Sequence, residues 1–237
     1  MKLFSSLSTP LILCVLFALI PATLHAQNQA VAPSQTPGAK PPAAGGTPKY
    51  TDAQMQEMIA KLQDRIQKAA ESVIGRIQKE ESAIRLKFSY LRKPERLDPN
   101  TFGSKDDITV WRDSLQEFRE KEGGLDKLYA EADQDLGNAL IQQRINQSIA
   151  DQVKNELLKS FPWSTIKKKS QLMHEFIAEH DDLLTFYDTN WGSWKPGSEA
   201  GTATFADQKL ATAFQDLKVK INTTGQEIED QYKVMVQ

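Results

Sequence analysis

The sequence predicts an all-α fold: an antiparallel helical bundle of four to five amphipathic helices, partly coiled-coil-like, after a disordered Pro/Ala-rich tether. Three observations predict it. From residue 50 onward apolar residues recur in steps of three and four, which places them on one face of a helix. The four prolines of that region, Pro94, Pro99, Pro162 and Pro196, all fall between the periodic segments, where helices must stop. No stretch alternates apolar and polar residues as a half-buried strand would.

Residues 1–26 read as a secretory signal peptide. Lys2 supplies a short positive segment, Leu11 to Ile20 an apolar run, and Ala22 to Gln27 small and polar residues with cleavage expected after Ala26. The run is short for a membrane span, although a retained N-terminal anchor is the alternative. Residues 27–50 form a Pro/Ala/Gly-rich linker with no apolar pattern to bury, hence a disordered tether. Residues 51–237 form the helical bundle domain.

The first predicted helix opens at Thr51 and Gln54, spaced as a capping box, and ends before Pro94. Its stripe runs from Met55 through Ile59, Leu62, Ile66, Val73, Ile77, Ile84 and Phe88 to Leu91, broken only at Glu80 and Glu81. At 1.5 Å per residue it is a rod of roughly 60 Å. The second starts near Ser104 or Asp106 with Ile108, Trp111, Leu115 and Phe118 on one face. Gly123 and Gly124 predict a break or kink, because each glycine costs about 1 kcal/mol against alanine in a helix. Beyond them the stripe resumes at Leu125 and continues to Phe161, its last part in steps of four that wind the apolar face around the helix.

Ser164 or Thr165 is expected to cap the third helix, whose wide apolar face includes Ile166, Met173, Ile177, His180, Leu184 and Tyr187. The fourth begins near Thr204, with Asp207 at capping-box spacing, and carries Leu210, Phe214, Leu217, Ile221, Ile228 and Tyr232. The first two helices exceed the third in length, so either an end projects and needs a partner or a second copy to cover it, or the boundaries lie a turn or two away and nothing projects.

Composition excludes more functions than it suggests. The formal net charge is −2, against the clearly basic balance of a nucleic-acid binder. Cys14, the one cysteine, lies in the apolar run, so the cleaved chain has no thiol for a disulfide, a nucleophile or a thiolate metal site. His174 and His180 are six apart, and neither follows a glutamate by three, which fits neither a zinc-protease helix nor a di-iron bundle. His180 reads as a buried core histidine. Glu175, Glu179, Asp181, Asp182 and Asp188 lack calcium-loop spacing and read as a solvated acidic face. No catalytic motif is present, and the sequence implies neither an enzyme nor a cofactor or metal.

Two clusters are candidate contact sites. Trp163, Lys167, Lys168 and Lys169 gather an aromatic and three cations at a predicted helix N-terminus, where backbone N–H groups favour anions and an anionic membrane surface would suit tryptophan beside lysine. These lysines, with the aspartates at the far end of the same helix, run against the helix dipole. The arrangement calls for compensation by neighbouring helices or a bound anion. Trp191 and Trp194 flank Gly192 in the following loop, where they can stack on a ring-shaped ligand or fold back over the bundle end.

The expectation is therefore an exported, non-enzymatic helical bundle acting through protein–protein contacts as a scaffold, adaptor or chaperone-like protein. The Gram-negative periplasm is the expected compartment and the extracellular space the alternative. The implied partner is another protein or a second copy of the chain, with a ligand or an anionic membrane surface as the alternative and no nucleic acid.

Overall fold

The computed structural model describes residues 50–197, 199 and 202–236. The expected signal peptide and nearly all of the tether lie outside the described residues. Among the described residues there are five helices: α1 (Asp52–Leu91), α2 (Lys105–Gln142), α3 (Gln147–Lys159), α4 (Trp163–Thr189) and α5 (Gln208–Val236). Between α1 and α2 the chain turns through two short 3₁₀ segments, Pro94–Leu97 and Pro99–Thr101, each opened by one of the predicted prolines. No described helix is long and apolar enough to cross a membrane.

Local chemistry sets most helix ends where expected. Thr51 Oγ1 accepts from the Gln54 N–H at 3.3 Å, and Gln54 Oε1 accepts from the Thr51 N–H at 2.9 Å, which completes the capping box. Asp207 Oδ1 accepts from the Lys209 N–H at 2.7 Å at the start of α5. That helix begins at Gln208 rather than near Thr204, because Thr204 belongs to a small antiparallel hairpin. In it β1 (Trp194–Pro196) pairs with β2 (Ala203–Phe205), Trp194 opposite Phe205, so one short strand lies in the expected loop and the other where the last helix was expected to begin. Helix α4 starts at Trp163, two residues earlier than a Ser164 cap implies, with Pro162 at the N-cap position.

Two expectations for the second helix are corrected. Gly123 and Gly124 do not interrupt α2, which runs unbroken from Lys105 to Gln142. The break lies at Gln143–Asn146, inside what reads as one continuous stripe. There Arg144 adopts φ 58°, its N–H reaches the Ile141 carbonyl at 2.8 Å, and the Ile145 N–H reaches the Leu140 carbonyl at 3.3 Å. This pair of bonds is a Schellman ending, closed by the buried Leu140 and Ile145. Asn146 then caps α3 by accepting from the Ser148 N–H at 2.9 Å.

The described residues fall into two compact units. The first comprises the described residues up to Arg76 together with Ala132–Phe161. Its core is Ile66, Ala69, Ala70 and Val73 of α1, Leu136 and Leu140 of α2, and Ala150, Val153 and Leu157 of α3. Arg76 pairs with Asp135, and Lys154 with Asp133 at 3.1 Å. The first turns of α1, Asp52–Met58, are exposed throughout.

The second unit comprises Ile77–Glu131 and Pro162–Gln237 and is a four-helix bundle of α1, α2, α4 and α5. Successive helices run antiparallel: Lys87 of α1 meets Ser114 of α2, Arg112 of α2 meets Asp188 of α4, and Glu179 of α4 meets Thr224 of α5. At Gly225 a Cβ would stand 3.0 Å from Arg92 Nε and 3.3 Å from Phe176 Cε2, so the lack of a side chain lets α5 approach closely.

Candidate functional site: a buried charge cluster

On each helix of the second unit a polar residue occupies a position that its own periodicity assigns to the core. Glu81 lies four after Ile77 and three before Ile84; Glu122 lies four after Phe118 and three before Leu125. Lys169 lies three after Ile166 and four before Met173, and Tyr232 four after Ile228. The helical repeat therefore carries these groups inward, and the bundle brings them together with Tyr129.

Lys169, 1% exposed, places Nζ 2.8 Å from Glu81 Oε1 and 3.0 Å from Glu81 Oε2. Tyr129 donates its hydroxyl to Glu81 Oε2 at 2.8 Å. The same ammonium lies 5.9 Å from the Tyr129 ring centroid and 5.8 Å from that of Tyr232, within cation–π range of both. Arg85 covers the other phenol, 4.9 Å from the Tyr232 centroid. Glu122 is the odd member. It is 0% exposed, its Oε1 lies 3.8 Å from Lys169 Nζ, and among the described residues neither carboxyl oxygen has a hydrogen-bond partner within 3.5 Å.

The electrostatics follow from burial. Loss of solvent pushes the Glu122 carboxyl up to about 7; the Lys169 ammonium opposes this, while the Glu81 and Asp126 charges add to it. Burial, with Glu81 beside them, raises the phenols of Tyr129 and Tyr232 well above the ordinary tyrosine range. His180, one helix turn along α4 from Phe176, is buried, and its Nδ1 is 2.9 Å from the Phe176 carbonyl. Burial pulls its imidazole down to about 4 against the backbone carbonyls of Phe176 and Leu91, which keeps the ring neutral at ordinary pH.

The cluster corrects one expectation. Lys169 is not a surface contact for an anion or membrane; it is a core residue, because the α4 repeat turns it toward Glu81. Lys167 and Lys168 are exposed, and Trp163 is 40% exposed with its ring edge-on to Tyr129 at 6.3 Å between centroids. Trp191 and Trp194 pack edge to face at 5.4 Å. Trp194 also lies 5.8 Å from Tyr187 and 6.4 Å from Phe205, so this loop folds back over the aromatic end of the bundle.

The reversed charge order of α4 is compensated by its neighbours. Lys169 is neutralised by Glu81, and the far aspartates face cations of α2: Lys105 to Asp188 at 3.0 Å, Arg112 to Asp188 at 3.4 Å and to Asp181 at 3.8 Å, and Arg119 to Asp181 at 4.0 Å. Hydrogen bonding from Lys105 and its charge hold the Asp188 carboxyl below the usual range. Among the described residues no group of three or more His, Cys, Asp or Glu side chains is arranged to hold a metal ion.

The sequence signal for Glu81 was visible as the break in the first stripe. Glu122 and Lys169 carried an equal signal, since each sits at core spacing, but glycine pairing and lysine clustering suggested other readings. The chain matches no protein-family model, no curated protein and no solved structure in the three comparisons made with it.

Proposed function

We propose that this chain is an exported, non-enzymatic helical-bundle protein that works through protein–protein contacts, as a scaffold, adaptor or chaperone-like protein, and that the start of α1 makes the contact. The observation that carries the reading is the exposure of Asp52–Met58, where the amphipathic stripe continues uncovered by any of the described residues. Met58, 48% exposed, and Met55 lie there beside Tyr50. Methionine adapts its shape to irregular partner surfaces, and the Thr51–Gln54 capping box presents these side chains on a preformed helix. Export rests on the charge, apolar run and small residues of positions 1–26.

In-cell crosslinking of the tagged full chain tests this. A specific protein partner, or a discrete self-crosslink, is expected and is lost in Met55→Glu/Met58→Glu. A strict monomer with no partner, or recovery unchanged in the variant, overturns the proposal.

A second reading, contact with an anionic membrane surface, is favoured by the exposure of Trp163, Lys167 and Lys168 within the first turns of α4. Its test is flotation with phosphatidylglycerol-containing vesicles.

A further inference from the structure

Two carboxyl groups and one ammonium are buried together in the second unit, so these three groups carry a net charge of −1 unless one carboxyl holds a proton. Lys169 and the Tyr129 hydroxyl are committed to Glu81, at 2.8–3.0 Å. Glu122 receives only the more distant face of the same ammonium, at 3.8 Å, and among the described residues no donor comes within 3.5 Å of either of its oxygens in hydrogen-bonding geometry. The charged and titratable groups around it are Glu81 from α1, Asp126 and Tyr129 on its own helix, Lys169 from α4 and Tyr232 from α5, with the half-buried Arg85 of α1 lying over the Tyr232 ring. Asp126 faces outward to His174, at 3.0 Å, and brings no cation into the core.

We propose that Glu122 is a proton-operated latch on the second unit: protonated, it lets Glu81 and Glu122 share Lys169 at zero net charge, and ionised, it leaves a buried negative charge that loosens α2 against α4. A carboxylate with no donor is among the most costly groups to bury, and water is the nearest replacement for the missing donors. Opening therefore follows loss of the proton.

The sign of the effect is fixed by the direction of the perturbation. Burial raises the folded group to about 7 from an ordinary 4.5, so between those values the folded chain holds one proton more than the unfolded chain. Its stabilisation is complete below about 4.5 and is lost as pH rises to 7. The unfolding equilibrium constant climbs by up to about tenfold per pH unit over that window and levels off above it. His180 acts in the opposite sense. Held down at about 4 against an ordinary 6.5, it makes the folded chain one proton poorer across that interval. The two contributions oppose each other from about 4.5 to 6.5, so the whole protein conceals the latch and a variant must expose it.

The experiment is urea unfolding of the full chain from pH 4.5 to 8.5 for wild type, Glu122→Gln and, as an exposed control, Glu175→Gln. The ratio of unfolding constants, wild type over Glu122→Gln, is expected to rise by up to about tenfold per pH unit until pH 7 and then flatten, while the Glu175→Gln ratio stays level. Parallel profiles for wild type and Glu122→Gln overturn the proposal. A second arm needs no variant. In wild type the infrared band of a buried neutral carboxylic acid is expected to disappear near pH 7, together with faster hydrogen exchange in α2 and α4 after correction for base catalysis. An ionised Glu122 at pH 5, or exchange unchanged as the band disappears, overturns it equally.

Discussion

Lys169 Nζ lies 2.8 Å from Glu81 Oε1, a contact between helices α4 and α1 that is 88 residues apart in sequence and almost wholly withdrawn from water. A buried pair of this kind contributes little net stability over an apolar pair of the same size, since desolvation offsets attraction, yet losing one partner is expensive.

Lys169→Ala is therefore expected to lower stability by about 3–5 kcal/mol, since it strands Glu81 beside Glu122 with no ammonium. Lys169→Met combined with Glu81→Leu and Glu122→Leu is expected to recover most of that loss. Urea midpoints at constant slope measure both; a triple variant as unstable as Lys169→Ala would contradict this account.

At the end of α2, Arg144 is an exposed side chain in a backbone conformation that suits glycine, at φ 58°. Arg144→Gly removes the Cβ strain at some cost in chain entropy and is expected to stabilise by roughly 0.5–1 kcal/mol, whereas Arg144→Val destabilises. Thermal melts of the two variants should move in opposite directions.

His180 gives a pH prediction of its own. Its stabilisation is complete above about 6.5 and falls away toward pH 4, at up to about 1.4 kcal/mol per pH unit, because the unfolded chain takes the proton that the folded core refuses. Because Glu122 contributes in the opposite sense from about 4.5 to 6.5, His180→Leu should turn the nearly level wild-type profile there into one in which stability falls as pH rises. Unfolding curves between pH 4 and 7 are the check, and a profile unchanged from wild type would rule out the imidazole's contribution.

For the exposed cations of α4, Lys167→Glu/Lys168→Glu is expected to abolish vesicle flotation if Trp163 and its neighbours contact an anionic surface. The fold should be unaffected, since both side chains are exposed. Equal flotation of variant and wild type removes the membrane reading.

Much of the fold was legible because the forces that shape it are local. The capping box at Thr51 and Gln54, the proline boundaries and the three- and four-residue steps each act within a few residues, and each lies where the sequence places it. The α2–α3 break was not legible. Its left-handed residue is an arginine rather than a glycine, and the apolar steps pass through it without a gap, because Leu140 and Ile145 are the very contact that closes the turn. Gly123 and Gly124 misled in the other direction, since tertiary packing on both sides carries α2 past their weak intrinsic preference. At the candidate site, sequence spacing could mark Lys169 as inward-facing, but no local rule could name its partners, which come from helices 47 and 88 residues away.

The buried cluster also limits how these helices can be assembled. Leucine and isoleucine faces accept a neighbour displaced by one helical turn, about 5.4 Å, with little change in buried area. Such a displacement of α4 would carry Lys169 away from Glu81 and the Tyr129 hydroxyl and into apolar surroundings, leaving opposite charges buried apart. At several kilocalories per mole for each stranded ion, every slipped alignment is disfavoured, so this one ammonium helps to index α4 against α1 and α2.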